Sequence, residues 1–187
     1  VRIRDAVNIT CVITLNPSVM ISEPSVLNAL VTSVNVTCFG ANDGRINITS
    51  PTGGYGTYEY SVNGGGTWQI SGTFSSLTPG TYDVRIRDRA HPGCVIVLIP
   101  ALVISEPAVL SALATGTNVT CNGANDGAIT ITNPLGGYGT YAYTINGGAT
   151  WQTSGTFNFL APGTYNVRLR DAANITCEIV LNPALVI

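Results

Sequence analysis

Residues 45–49 alternate strictly: Ile46 and Ile48 fall on one face, and Arg45, Asn47 and Thr49 on the other. That two-residue period is the mark of a half-buried strand. It returns in Tyr58, Tyr60 and Val62 against Glu59 and Ser61, and again in Tyr82, Val84 and Ile86 against Asp83, Arg85 and Arg87. Residues 27–38 read as a first, irregular strand, and the continuous apolar run 94–99 as the last one. Trp68 opens a short strand, and Phe74 and Leu77 mark another. Between these runs lie turn signals: Ala41-Asn42-Asp43-Gly44, the glycine-rich stretch 51–56, Asn63-Gly64-Gly65-Gly66 and Pro79-Gly80. A 3.6-residue period occurs nowhere. The pattern predicts about seven strands and an all-β domain.

The stretch Leu77-Thr78-Pro79-Gly80-Thr81-Tyr82 narrows the fold class. A leucine, a Pro-Gly turn and a tyrosine opening the next strand resemble the tyrosine corner of Greek-key sandwiches. Its copy is Leu160, Pro162, Gly163 and Tyr165. The expected architecture is therefore an immunoglobulin-like Greek-key β-sandwich. Tyr82 and Tyr165 should be largely buried, each hydroxyl bonded to backbone a few residues upstream.

That copy belongs to a repeat running through the whole chain. Val-Arg-Ile-Arg-Asp begins at Val1 and Val84, and a close variant begins at Val167, each offset by 83 residues. Residues 21–104 align with 104–187 without a gap, with 58 of 84 positions identical. Such regular self-similarity is the signature of a tandem array. The expected division is 1–23 as the C-terminal strands of a preceding repeat, 24–106 as a complete repeat and 107–187 as a second, nearly complete one. The first segment supplies only two strands, too few to be stable alone.

Composition excludes several functions. Charged residues make up 10%, lysine is absent and the net charge is −2, so the chain has no basic footprint for nucleic acid. The most apolar run, 94–104, is broken by Pro100 and is about half the ~20 residues of a membrane-spanning helix. No membrane insertion is expected.

The five cysteines occupy two repeat positions: Cys11, Cys94 and Cys177 are one, Cys38 and Cys121 the other. Pairing inside modules gives Cys38–Cys94 and Cys121–Cys177, with Cys11 paired outside the segment. The rival set, Cys11–Cys38 and Cys94–Cys121, staples neighbouring modules. The first is preferred, because a small domain gains most from closing its own ends, by roughly 4 kcal/mol for a loop of that length. Neither set has zinc-like spacing, and paired cysteines imply an oxidising compartment.

Candidate chemistry is thin. Ser61 to Trp68 fits the Asp-box pattern of sialidase propellers, and Thr144 to Trp151 nearly repeats it. The motif there is a structural turn, and an 83-residue period is too long for a propeller blade. Trp68 and Trp151 are accordingly given a structural role. Glu59 becomes Ala142 in the second copy, so a paired-carboxylate glycosidase would lack one member. Asp43 and Asp126 are candidate calcium ligands, but without the alternating acidic run of a strong site they read first as turn residues. Arg85, Arg87 and Asp88, with copies Arg168, Arg170 and Asp171 and Arg2, Arg4 and Asp5, read as a solvated stripe or a lateral contact between fibres. His91 stands where the other copies carry Asn8 and Asn174, and reads as a loop residue. The N-x-T sequons at Asn8, Asn35, Asn47, Asn118 and Asn174 read as Thr-rich strand composition. No nucleophile–base set repeats, so no enzyme and no cofactor are expected.

The module resembles the SprB repeat of Bacteroidota surface proteins. The residues that carry the likeness are Val36-Thr37-Cys38-Phe39-Gly40 with Asn42-Asp43-Gly44, Gly53-Gly54-Tyr55 leading into Tyr58-Glu59-Tyr60-Ser61, the corner 77–82, and Asp88 to Cys94. The resemblance implies an extracellular, cell-surface fibre of many modules, exported by type IX secretion and serving gliding motility or attachment. It supplies no catalytic residues. Two functions then compete. One is a stalk whose partners are adjacent repeats of the same chain. The other is a binding module contacting glycans, a surface or other fibres through Trp68, Trp151, Tyr55 and Tyr138. A buried tryptophan favours the stalk, and an exposed aromatic platform favours binding.

Overall fold

The computed structural model describes residues 1–15 and 20–187; residues 16–19, inside the expected 1–23 segment, lie outside the described residues. All its regular elements are strands. β1 (Arg2–Arg4) and β2 (Val12–Thr14) form an exposed hairpin. β3 (Asn28–Val34), β4 (Gly44–Thr52), β5 (Tyr58–Ser61), β6 (Thr73–Leu77), β7 (Gly80–Asp88) and β8 (Val95–Ile104) make the first module. β9 (Ala108–Thr117), β10 (Gly127–Gly137), β11 (Tyr141–Thr144), β12 (Thr156–Leu160), β13 (Thr164–Asp171) and β14 (Glu178–Val186) repeat it.

Each module is a sandwich of two three-stranded antiparallel sheets, β3-β4-β6 against β5-β7-β8 and β9-β10-β12 against β11-β13-β14. The chain crosses between sheets after β4, β5 and β6, the connectivity of an immunoglobulin-like Greek key. The alternation read from the sequence sets the core. Ile46 and Ile48 of β4 meet Tyr60 of β5 and Val84 and Ile86 of β7, with Leu27, Val36 and Ile104 closing the ends. Ile129, Ile131, Tyr143, Val167 and Leu169 do the same in the second module.

There are six strands per module, not seven. The Trp68 stretch makes only an isolated bridge, Tyr60 to Gln69, because the preceding turn is locked by side chains and does not extend. Ser61 Oγ donates to Asn63 Oδ1 and accepts from the Gly65 amide, while Asn63 Oδ1 accepts the Thr67 amide. The Asp-box-like sequence is therefore a closed structural turn. In β8 the register slips between Ile99 and Leu102, so Pro100, which has no amide hydrogen to give, sits in an irregularity at a sheet edge.

The tyrosine corner forms. Tyr82 Oη donates to the Thr78 carbonyl at 2.7 Å and Tyr165 Oη to that of Ala161 at 2.8 Å. Both tyrosines are half-buried, not largely buried as expected: the ring packs on the core edge while the hydroxyl reaches the rim. Tyr82→Phe should cost about 1 kcal/mol; an unchanged midpoint in chemical denaturation would remove the corner as a stabilising contact.

Candidate functional site: the joint between modules

The two modules meet at a bonded joint. On one side is the loop 35–41, leaving the end of β3. On the other are the loop carrying Tyr138 and the turn between β13 and β14, with the linker 105–107 running between the two. The Val36 amide donates to the Ser105 carbonyl at 2.9 Å, and the Ser105 amide to Asn35 Oδ1 at 3.0 Å. The Gly40 amide donates to Glu106 Oε2 at 2.7 Å, and Tyr138 Oη to the Val36 carbonyl at 3.0 Å. Cys38 is disulfide-bonded to Cys177, across 139 residues of sequence.

This bond corrects the expected pairing. Neither Cys38–Cys94 nor Cys121–Cys177 forms, nor does the rival set; Cys11, Cys94 and Cys121 are exposed free thiols. The physical reason lies in the sandwich. Cys38 and Cys94 occupy opposite ends of their own module, one beyond β3 and one ahead of β8, whose far end pairs beside that loop through Ser105. Stacking brings the near end of the next module, with Cys177, onto the Cys38 loop.

The joint has an apolar floor. Residues 107–110, Gly137 and residues 177–179 line a groove of about 120 Å³, roofed by Cys38 and Phe39 of the first module. Pro107 and the absence of a Gly/Ser spacer restrict the linker.

A second feature lies behind the Tyr138 loop. Asp171 has no solvent exposure and accepts hydrogen bonds from the amides of Tyr138, Ala173 and Asn174. Asp88, equally buried, is held by the amides of Tyr55, Ala90 and His91. Reading these aspartates as members of an exposed stripe is corrected: the chain turns back over each carboxylate, and amide hydrogens replace its water. The local signal was present, since Gly-Gly-Tyr and Asp recur together in both copies. Donation by Tyr55 above all holds the Asp88 carboxyl below the usual range, against the upward push of burial. Asp43 and Asp126 are also lowered, chiefly by the hydroxyls of Thr37 and Thr120.

A lowered folded pKa adds stability that is complete above the unfolded value, about pH 4, and is lost as pH falls through the folded value. Urea midpoints should therefore be flat from neutrality down to about pH 5 and drop below about pH 4. Asp88→Asn should lower the neutral midpoint and flatten that acid drop; an unaltered acid profile would assign the effect to other groups.

The other candidates fall into place as supports. Each of Asp43 and Asp126 bonds both the amide and the hydroxyl of a threonine, Thr37 and Thr120, closing the loop that bears the cysteine. Among the described residues, no three His, Cys, Asp or Glu side chains converge to hold a metal ion. Arg87 lies 4.4 Å over the Trp68 ring and pairs with Glu59 at 2.6 Å; Arg170 lies 4.3 Å over Trp151. Both tryptophans are half-buried beneath these cations, so they form no open aromatic platform. Arg85 pairs with Asp83, and Arg168 with Glu178. The His91 ring packs against that of Tyr55 in a tilted contact, with centroids 4.3 Å apart. Sequence reasoning missed Asn35, read only as part of a sequon, and Glu106; both act in the joint.

The family model of the SprB repeat matches residues 30–67 and 113–150, one segment in each module, in agreement with SprB repeat modules. It is a structural repeat of cell-surface, adhesin-like proteins, not an enzymatic one. No curated protein matches the chain, and no solved structure does.

Proposed function

We propose that the chain is a stalk segment of a long extracellular adhesin or filament, in which stacked modules provide length and stiffness for surface attachment or gliding. The observation that carries this reading is the joint: a disulfide and the Tyr138–Val36 hydrogen bond cross from one module to the next, and three further hydrogen bonds clamp the linker residues 105–106 to the end of the first. A tether meant to swivel has no use for such a joint. The disulfide also suits an oxidising, extracellular setting. Export by type IX secretion belongs to this reading through the family likeness alone. The half-buried, arginine-covered tryptophans support a stalk over a glycan-binding platform. Adhesion itself then resides elsewhere in the fibre.

Small-angle scattering on chains of increasing repeat number tests the stalk. The maximum dimension should grow almost linearly with each added module. Growth nearer the square root of repeat number is the behaviour of a flexible string and would sink the mechanical role.

A further inference from the structure

The groove at the joint occurs twice, and only one copy is occupied. Eight residues line the second module's side of it. Subtracting the 83-residue repeat gives residues 24–27, Gly54 and residues 94–96, and those same residues, with Gly93, line a groove of about 250 Å³ on the first module. What differs is the roof. Cys38 and Phe39 cover the groove of module two, whereas that of module one lies open beside the exposed Cys94.

The other groups of the joint recur in the same unmated state. Tyr55 is the repeat equivalent of Tyr138, and is more exposed than its mated copy, at 59% against 49%. Glu23 corresponds to Glu106. At the far end of module two, Asn118, Cys121 and Gly123 correspond to Asn35, Cys38 and Gly40, with Cys121 exposed. One face of the chain thus carries an empty socket, and the other a free plug.

We infer that the Cys94 socket takes the cysteine loop of another copy of this module, so that every junction in an array is closed by a disulfide between cysteines 139 residues apart. The rule accounts for all five cysteines. Cys38–Cys177 is the one pair with both members present, and Cys11, Cys94 and Cys121 are those whose partners belong to neighbouring copies. The fibre is then a covalent ladder in which each link spans one joint, so pulling on it loads disulfides as well as packed surfaces. The bond forms by thiol–disulfide exchange with a small-molecule or protein disulfide: two cysteine thiols give up two protons and two electrons, and the reagent leaves as two thiols.

The inference deepens the stalk reading and rests on it for its purpose. Its test is chemical, so a wrong pairing rule and a flexible fibre give separate results. The chain carries its own control. Cys11 sits in the β1–β2 hairpin at the same repeat position as Cys94, but the groove beside it is lined by Ile3, Arg4, Asp5 and Ile13 of the hairpin itself. Isotope-labelled and unlabelled chains would be mixed at high concentration in a glutathione redox buffer, and cross-chain disulfides mapped by non-reducing peptide analysis. Cys121 should bond Cys94 about tenfold more than Cys11, a preference worth ~1.4 kcal/mol from the socket. Tyr55→Phe, which removes the hydroxyl equivalent to the one bonded at the joint, should reduce that preference. Equal capture by the two thiols, or no cross-chain bond to Cys94, overturns the inference.

Discussion

Replacing Cys38 and Cys177 by serine together should lower stability by up to about 5 kcal/mol, the value for closing a loop of this length on the chain-entropy account. The closed loop holds most of the first module and nearly all of the second. Unfolding either one with the bond intact therefore leaves a tethered chain of reduced freedom. Two consequences go beyond the magnitude. The oxidised chain should unfold with its modules coupled, and the double variant with two separable transitions. Single-tryptophan versions read this directly, Trp68 reporting the first module and Trp151 the second. Cys94→Ser and Cys121→Ser should each stay within about 0.5 kcal/mol of the parent, as exposed positions without partners in this chain usually do. Loss of stability in Cys94→Ser, with none in the Cys38/Cys177 variant, would restore pairing inside the module.

Gly136→Ala should destabilise its module by about 3 kcal/mol or more. Gly136 holds φ +82°, and a Cβ built there would lie 2.0 Å from the Val109 carbonyl oxygen. The obstacle is backbone at the start of β9, next to the linker, and cannot rotate aside. β10 is irregular here, slipping register between Leu135 and Gly137, and this close passage delivers the Tyr138 amide to Asp171. Gly139→Ala separates the two costs. That glycine has φ +85° but nothing within 4 Å of a built Cβ, so it should lose only the left-handed penalty, roughly 1–2 kcal/mol. Comparable denaturation midpoints for the two variants would mean that the contact with Val109 does not matter. Gly53→Ala should match Gly136→Ala, since its built Cβ meets the Val26 oxygen at 2.1 Å.

Much of the fold was legible because it is local. Alternation at Ile46 and Ile48, at Tyr58 and Tyr60, and at Val84 and Ile86 needs only the pleat of a strand to become a core face. The Ser61–Trp68 turn and the Tyr82 corner are closed by bonds between residues four apart or fewer, which local sequence can encode. The seventh strand failed for a related reason: tryptophan favours strands, but here it follows a turn whose side-chain bonds hold the backbone out of the ladder.

Asp88 and Arg87 mark where legibility ends. Both stood in an alternating stretch that looked solvated. Which residue met water depended on the glycine loop folding over Asp88, and on Trp68 arriving beneath Arg87. The cysteines mark it more sharply. A repeat writes the same two cysteine positions into every module, so bonds within a module, to the module before and to the module after are spelled identically. Sequence by itself determined that two cysteine positions recur and that the modules are β-sandwiches without a flexible spacer. Only the tertiary structure could choose the partner, because the sandwich places its two cysteine positions at opposite ends, and stacking of separate modules brings Cys38 and Cys177 within bonding distance.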